Sequence, residues 1–201
     1  LKLSNEIKAE AKRLGFFACG IAKAAPVDAT TATEVKRWLD NGCFGDMAYM
    51  NNYTDKRLNP KLLMPGLKSI VCVAMSYAPA KRIPEGQYQL ASYAYGQDYH
   101  EVVKGKLRQL ATHFGFEPHT EDTTLACSSF VNAIPKFRVF CDSAPILERY
   151  WAVKAGLGRT GRNHQLIIPK AGSMFVLGEL FLDIELNYDE EMPNRCGACY
   201  K

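Results

Sequence analysis

The chain has 201 residues, of which 47% are hydrophobic and 23% are charged, and its formal net charge is +4. This composition is typical of a globular protein and excludes a disordered or fibrous chain. The longest uncharged apolar runs, such as residues 70–75, are far shorter than the ~20 residues that span a bilayer, and residues 1–13 lack the apolar segment of a secretory signal. We therefore expect a cytoplasmic protein of one domain, or slightly more, that does not enter a membrane. The small basic excess permits an acidic partner such as RNA without requiring one.

Helix and strand patterns both occur in the first half of the chain. A charged segment that ends at Gly15 predicts a first helix, and Thr31 with Glu34 three residues later is typical of a capping box that opens a second. An uncharged, β-branched run predicts a buried strand over 69–76, and apolar residues at helical spacing predict a helix over 99–114. The other elements predicted here are a strand over 16–22 and a short helix at 47–50.

The second half begins with a long connection, residues 115–137, that has little periodic signal. A short strand over 137–141 follows, and Asp142 or Ser143 is placed to cap the next helix, with Pro145 in its first turn. Two apolar runs, 166–168 and 174–186, bracket a turn and predict a hairpin. Because strands and helices are mixed without strict alternation, we expect one α+β domain in which helices flank a central sheet.

The last residues of the chain carry the clearest cysteine motif. Seven cysteines are present, and Cys196 and Cys199 form a C-x-x-C pair in a polar tail. Two thiolates at this spacing can share one metal ion, but a closed site needs four ligands. The third cysteine of an iron–sulfur run would fall just past Lys201. The pair is therefore either a dithiol or the start of a metal-binding domain, and we favour the second interpretation.

A glycine pattern near residue 160 matches the dinucleotide-binding fingerprint in its letters only. That fingerprint requires a strand before the glycines and a helix after them, so that the helix N-terminus meets the pyrophosphate. Here a helix is predicted before the glycines and a strand after them, so we reject a dinucleotide site. The segment is either an ordinary loop or a close backbone approach to a flat or bulky ligand. The three glycines are Gly156, Gly158 and Gly161, and the nearby side-chain donors are Arg159, Arg162 and Asn163.

Asp142 is the strongest candidate for chemistry in the second half of the chain. Its carboxyl group lies between an apolar strand and a predicted helix start, where it is either a helix cap worth about 1 kcal/mol or a partly desolvated acid that donates a proton. Arg149 follows two helical turns later, and His100 opens another helix beside Tyr99. Local patterns alone leave these three residues as separate candidates.

Residues 141–149, followed by 151–158, resemble the signature of epoxyqueuosine reductases, and the resemblance extends along essentially the whole chain. The block from Asp142 to Gly161 is highly specific. The shorter matches are Trp38-Leu39 with Gly42, Gly45-Asp46-Met47, Tyr49-Met50, Arg57 with Pro60, Pro65-Gly66, Asp98-Tyr99-His100, Gly161-Arg162-Asn163, Leu166-Ile167, Gly172-Ser173, Leu177-Gly178-Glu179 and the terminal Cys196-Gly197-Ala198-Cys199.

The resemblance implies a cobalamin-dependent reductase that acts on tRNA carrying epoxyqueuosine in its anticodon loop. Members of the family reduce the epoxide to the alkene of queuosine, with a corrinoid that receives electrons from two [4Fe–4S] clusters. An electron-donor protein or a small reductant would supply those electrons. The implied layout is a nitroreductase-like α+β domain that binds cobalamin and substrate, over residues 1–190, and the start of a ferredoxin-like domain over 191–201.

The resemblance also implies roles for individual residues. Asp142 takes the position of the general acid, which protonates the oxygen that leaves as water. His100 and Arg149 would line the substrate pocket, and Cys196 and Cys199 would be cluster ligands. The implied contacts to the corrinoid are Arg57, Tyr99, Asp142, Ser143, Gly158, Arg162 and Asn163.

The chain departs from the family pattern in two places. Arg159 and Thr160 occupy positions where the family has a large apolar pair, which would alter a wall of the binding site. Six of the eight cluster cysteines are absent, so we expect the chain by itself neither to assemble a cluster nor to turn over. Two alternatives are kept: a corrinoid-binding or carrier module without catalysis, and a flavin-dependent reductase on a nitroreductase-like scaffold.

Overall fold

The computed structural model describes residues 1–119 and 134–193. These residues contain both helices and strands, as expected for an α+β fold. No helix among them is long and apolar enough to cross a membrane. The helices are α1 (Lys2–Arg13), α2 (Ala29–Asp40), α3 (Thr54–Leu58), α4 (Tyr99–His113) and α5 (Glu148–Lys154), and the strands are β1 (Ala18–Lys23), β2 (Ser69–Ser76), β3 (Glu117–Pro118), β4 (Lys136–Phe140), β5 (Arg159–Thr160), β6 (Leu166–Ile167) and β7 (Phe175–Leu182).

Five strands form the central sheet in the order β1-β2-β7-β4-β3. The pairs β1–β2, β2–β7 and β4–β7 are antiparallel, and β3 pairs with β4 in parallel. Strand β7 therefore lies between β2 and β4 over residues 179–182. Its Glu179 is opposite Cys72 of β2 on one side and Phe140 of β4 on the other. Phe140 is the last paired residue of β4, so the chain leaves the sheet beside Glu179.

Helices cover both faces of the sheet, as the sequence predicts. Alternate residues of β2 and β7 point to opposite faces, which is the period of a strand buried on both sides. Helices α1 and α4 cover one face, and α5 covers the other. Contributors to the first face include Ile7, Leu107, Leu110, Val71 and Leu180, and contributors to the second include Trp151, Ala152, Ile70, Cys72 and Phe181.

Two helix boundaries differ from the sequence predictions. Helix α2 begins three residues earlier than expected, because the Asp28 carboxylate accepts a hydrogen bond from the Thr31 amide at 2.9 Å and caps the helix. The predicted caps of the helix after β4 are wrong, since α5 begins only at Glu148 and Leu147 precedes it without a side-chain cap. Asp142 has a left-handed backbone with φ of +57°, whereas an N-cap residue needs an extended one.

The predicted hairpin of 166–168 with 174–186 is also wrong. Strand β6 pairs with β5 in a separate two-stranded sheet, and β7 joins the central sheet. Only an isolated bridge between Ile168 and Gly172 remains near the predicted turn. Each residue of β7 pairs with a β2 residue that is 99 or more positions earlier in the chain. Local turn signals therefore did not reveal the β2–β7 pairing.

Two strand glycines allow helices to approach the sheet closely. A Cβ atom added at Gly20 of β1 would lie 2.0 Å from the carbonyl oxygen of Ala155, at the end of α5. One added at Gly178 of β7 would lie 2.5 Å from a methyl group of Val103 on α4. At both positions a side chain would push a helix away from the sheet, which loosens the packing on that face.

We expect Gly20→Ala to lower the free energy of unfolding by about 2 kcal/mol or more, because the added methyl group meets backbone rather than a movable side chain. Gly105→Ala is the matched control, since Gly105 lies within α4 and a Cβ there has nothing within 4 Å. The control should be neutral or stabilising by about 1 kcal/mol. Urea unfolding measures both variants, and equal stabilities would contradict the packing explanation.

Candidate active site

An open cavity of about 820 Å³ lies between α2, the region around α3, and the segment that joins β4 to α5. This volume is within the range of small-molecule and cofactor sites. The lining from α2 and the region around α3 is rich in apolar and aromatic side chains, and the lining from the segment that joins β4 to α5 includes charged groups. The lining residues include Val35, Trp38, Leu39, Tyr49, Met50, Tyr53 and Arg57 on the first side, and Asp142, Ser143, Ile146, Leu147, Glu148 and Arg149 on the second.

Asp142 lies at the edge of this cavity, and its side chain is 61% exposed. Its Oδ2 atom accepts a hydrogen bond of 2.6 Å from the Tyr99 hydroxyl and lies 3.4 Å from Nε2 of His100. Burial raises the pKa of Tyr99, and the hydrogen bond to Asp142 raises it further, so Tyr99 stays protonated as a donor. The structure therefore brings the predicted residues Asp142, Tyr99 and His100 into contact.

A second carboxylate orients His100 from the opposite side of the ring. Asp98 caps α4 by accepting from the His100 amide at 2.9 Å, and the same oxygen lies 2.7 Å from Nδ1 of the His100 ring. The hydrogen bond from the His100 side chain lowers the pKa of Asp98, so Asp98 is an anion and Nδ1 carries a proton. Nε2 is then the ring nitrogen that faces Asp142. Asp98, His100 and Asp142 therefore form a chain of contacts that ends at the cavity.

Two of the predicted arginines also reach the cavity. The Arg149 guanidinium donates to the carbonyl of His164, which fixes its position on the charged wall. Arg57 lies on the apolar side, and its buried Nε has no hydrogen-bond partner in residues 1–119 or 134–193. Burial lowers the pKa of Arg57. A buried donor without a partner among the described residues is costly.

Ser143 lies on the cavity wall, whereas the predicted glycine-loop residues do not line it. The Ser143 hydroxyl accepts a hydrogen bond from Lys104 at 3.1 Å. At Gly158 an added Cβ would lie 2.4 Å from the carbonyl oxygen of Ile167, so this glycine allows β6 to approach closely. Gly158, Arg162 and Asn163 are not among the lining residues, although Thr160 and His164 of the same segment are.

The predicted metal ligands, Cys196 and Cys199, lie outside the described residues. Among the residues that the structure does describe, no group of three or more His, Cys, Asp or Glu side chains could hold a metal ion.

Two glutamates that were not predicted as site residues, Glu148 and Glu179, lie near Asp142. Glu148, the first residue of α5, accepts a hydrogen bond from the Asp142 amide. Glu179 is fully buried in β7, and its oxygens receive no hydrogen bond from any described donor. The available signal was an acid inside the apolar run 175–182, a position that favours burial on both sides.

Glu148 and Glu179 interact with each other, and burial dominates the titration of both. The pKa of Glu148 is raised to about 7, mainly by burial; the hydrogen bond from the Asp142 amide lowers this pKa, and the charge of the Asp142 carboxylate raises it. Burial raises the pKa of Glu179 well above its ordinary value, and the charge of Glu148 adds to the effect. Two carboxyl groups can share a hydrogen bond only if one of them is protonated. Burial favours Glu179 as the protonated partner, because it raises the pKa of Glu179 well above the ordinary value.

Comparison with known proteins connects this site to a class of reductases. Residues 57–143, which include Arg57, Tyr99, His100 and Asp142, match the family described as Epoxyqueuosine reductase QueG, DUF1730. The epoxyqueuosine reductase of Cellulophaga algicola is 40% identical over 198 residues, and that of Leadbetterella byssophila is 41% identical over 196. Each alignment covers 98% of this chain, and the chain spans about 60% of the length of each relative. The resemblance to epoxyqueuosine reductases is thereby confirmed over nearly the whole chain.

Solved structures show the same fold. An epoxyqueuosine reductase from Streptococcus thermophilus superposes with a TM-score of 0.80 at 22% identity, and one with an epoxyqueuosine-modified tRNA stem loop superposes with a TM-score of 0.77 at 24% identity. These alignments cover 99% and 98% of this chain and half of each solved chain. A catabolic reductive dehalogenase is a more distant neighbour, with a TM-score of 0.51 at 16% identity over 93% of this chain and 20% of its own.

The buried pair predicts how stability changes with pH. Folded Glu179 keeps its proton at pH values where an exposed glutamate, with a pKa of 4.5, has lost it. Folding therefore takes up a proton above pH 4.5, and the free energy of unfolding falls as the pH rises toward the raised pKa. Glu179→Gln removes this uptake, so its stability relative to the native chain should improve as the pH rises above 4.5, by up to about 1.4 kcal/mol per pH unit.

Urea unfolding at pH 5, 6 and 7 measures this difference. Glu6→Gln is the control, because Glu6 is an exposed residue of α1 whose side chain is 49% accessible. The control should show the same pH dependence as the native chain. A Glu179→Gln variant that differs from the native chain by a constant amount at all three pH values would contradict a buried, protonated Glu179.

Proposed function

We propose that this chain is the substrate- and corrinoid-binding part of an epoxyqueuosine reductase, which converts epoxyqueuosine in tRNA to queuosine. The observation that supports this most directly is Asp142 at the cavity edge, in contact with Tyr99 and His100 and on the same wall as Arg149. Reduction of an epoxide to an alkene breaks two carbon–oxygen bonds, takes up two electrons and two protons, and releases water. A protein that performs it needs a proton donor beside a cavity for the cofactor and the nucleoside.

The cavity residues fit a corrinoid. The apolar lining around Trp38 and Leu39 suits a flat macrocycle. Arg57, whose Nε has no hydrogen-bond partner among the described residues, would suit the amide and phosphate acceptors of its periphery. When bound, a corrinoid supplies the electrons that break the carbon–oxygen bonds. The fold shared with a reductive dehalogenase is consistent with this assignment. In this proposal Arg57 and Ser143 hold the cofactor, while Gly158, Arg162 and Asn163 shape the adjoining loop.

Asp142 is the proposed proton donor. Its exposed carboxyl group can reach a ligand in the cavity, while Tyr99 fixes one of its oxygens at 2.6 Å. Protonation of the departing oxygen neutralises the charge that develops as the bond breaks. His100 lies 3.4 Å away and can return a proton to Asp142, because Asp98 holds the opposite nitrogen of the ring. In this proposal Asp142 donates a proton to the departing oxygen, and His100 then returns a proton to Asp142.

Arg149 is proposed to bind the oxygen of the epoxide. One nitrogen of its guanidinium donates to the His164 carbonyl, and the group still has other N–H donors. Those donors favour an oxygen that gains negative charge during the reaction, and their position is fixed before the substrate binds. Arg149 thus orients the substrate oxygen toward Asp142.

The remaining parts of the proposal concern partners. A reductase of similar fold has been solved with an epoxyqueuosine-modified tRNA stem loop, which supports tRNA as the substrate here. Such a substrate implies action in the cytoplasm. Electrons would come from [4Fe–4S] clusters, with Cys196 and Cys199 as two of the ligands, and from a donor protein or small reductant. The relatives are longer than this chain, so the full-length protein is the form in which activity is tested.

Asp142→Asn in the full-length enzyme should lower the rate of queuosine formation by about 100-fold or more, because an amide does not supply the proton. Cobalamin binding should stay unchanged, since the substitution preserves the size of the side chain. Mass spectrometry of nucleosides from the digested tRNA measures the rate. Asp40→Asn, an exposed residue of α2 outside the cavity, is the control and should retain full activity. Native-like activity of Asp142→Asn would remove the proton-donor role.

Arg57→Met should weaken the binding of hydroxocobalamin by about tenfold or more, because it removes a buried donor and keeps a side chain of similar length. The visible absorbance of protein after equilibrium dialysis measures binding, and a flavin spectrum in the purified protein would instead favour a flavin-dependent reductase. Arg37→Met makes the same change at an exposed position of α2. Equal cobalamin affinity in the two variants would contradict the assignment of Arg57.

A further inference from the structure

The backbone of Asp142 has a conformation that must be held in place by its surroundings. Its φ of +57° lies in the left-handed region, which costs a non-glycine residue about 1 kcal/mol or more. The side chain is exposed, so packing around it does not impose this conformation. The contacts that reach it are Tyr99 and His100 at the carboxyl group and Glu148 at the amide.

Glu148 is well placed to hold the Asp142 amide. It is the first residue of α5, where a negative charge interacts favourably with the helix N-terminus. Its Oε1 accepts the Asp142 N–H, and a hydrogen bond to an ionised carboxylate is about twice as strong as one between neutral groups. The strength of this contact therefore depends on whether Glu148 carries its charge.

Glu179 lies on the sheet face that α5 covers. Leu177 and Phe181, two residues before and after it, both belong to the core on that face. Glu179 is 0% exposed and receives no hydrogen bond from a described donor, a state that would be very unfavourable for an ion. In its protonated form it has a donor, and Glu148 is the acceptor with which it interacts.

We propose that Glu148, at the cavity wall, and the buried Glu179 form a proton-sharing carboxyl pair that holds the left-handed backbone of Asp142 through its amide, and so positions the Asp142 side chain toward Tyr99 and His100. In this pair Glu148 carries the single negative charge, and Glu179 donates its proton to it. Glu148 is a positioning residue, since it acts through Asp142. The proposal deepens the proposed function, on which the catalytic importance of Asp142 rests.

The pair makes the Asp142 contact sensitive to pH near neutrality. The groups that affect Glu148 are Asp142, which raises its pKa, and His100 and the proton of Glu179, which lower it. The thiols of Cys72 and Cys141 also lie near, and burial raises the pKa of both, so they are neutral in this range. Below a pH of about 7 Glu148 gains a proton, and the charge-assisted hydrogen bond to the Asp142 amide is lost.

Nuclear magnetic resonance of ¹⁵N-labelled protein tests the pair without any activity measurement. The Asp142 amide proton should move downfield as the pH rises from 5.5 to 8.5, with a midpoint near pH 7. Glu148→Gln should abolish this titration. Glu179→Gln keeps a donor to Glu148 and should preserve it, whereas Glu179→Leu removes the donor and should move the midpoint to higher pH.

Histidine is the other group that ordinarily titrates in this range, so His100→Gln is the necessary control. If the titration persists in His100→Gln and disappears in Glu148→Gln, the pair is its source. If the amide shift is flat with pH in the native chain, or titrates unchanged in Glu148→Gln, the pair does not hold Asp142. Glu148→Asp keeps the charge but shortens the side chain, and it should lose the downfield shift while keeping a native unfolding midpoint.

A second measurement uses the full-length enzyme. Glu148→Gln should lower kcat about 10- to 100-fold with little change in KM for the tRNA, because it misplaces the acid rather than the substrate. Glu179→Leu should also lower kcat, whereas Glu179→Gln should keep most of the native rate. Native-like kcat in Glu148→Gln would overturn the positioning role. Absence of epoxyqueuosine reduction by the native enzyme would instead refute the proposed function, and the resonance experiment would still decide whether the pair holds Asp142.

Discussion

The antiparallel pairing of β4 with β7 is the constraint on which the site depends. It places Phe140 opposite Glu179 and ends there, so the chain leaves the sheet directly beside a buried carboxyl group. The two residues that follow Phe140 bring Asp142 to the cavity edge. Because β7 is also paired with β2, the position of Glu179 is fixed from both sides. A slip of one residue in either pairing would turn Glu179 toward the α4 face and remove it from Glu148.

Much of the fold could be predicted from local patterns. The buried strand over residues 69–76 and the helix from Tyr99 have strong periodic signals, and the structure has both with nearly the expected bounds. The partners of β7 could not be predicted in the same way, because strand pairing over long separations leaves no mark in a short window. The hairpin error has this cause: a turn sequence was present, but the flanking strands pair elsewhere.

The candidate site could likewise be predicted only in part from local patterns. Asp142 and His100 were singled out from their sequence contexts and Tyr99 by the family resemblance, and the structure brings the three into contact. The helix-cap interpretation of Asp142 failed because its left-handed backbone is incompatible with an N-cap. Glu148 was missed because a glutamate in the first turn of a helix is an ordinary feature there. Its importance appears only when the fold places it between the Asp142 amide and Glu179, and no local pattern carries that information.

The separation between an exposed acid and a buried pair suits a proton donor that must meet a large substrate. In the proposed role Asp142 exchanges its proton and contacts a ligand, which requires an accessible side chain, and its side chain is 61% exposed. An exposed side chain is poorly constrained by packing, so its direction must come from hydrogen bonds. Tyr99 and His100 contact the carboxyl group itself, so a change in the protonation of Asp142 alters these two contacts. Glu148 acts on the backbone, which does not titrate, and the buried sheet holds Glu179 behind it. While Glu148 carries its charge, the acid can therefore lose and regain its proton with its backbone in one position.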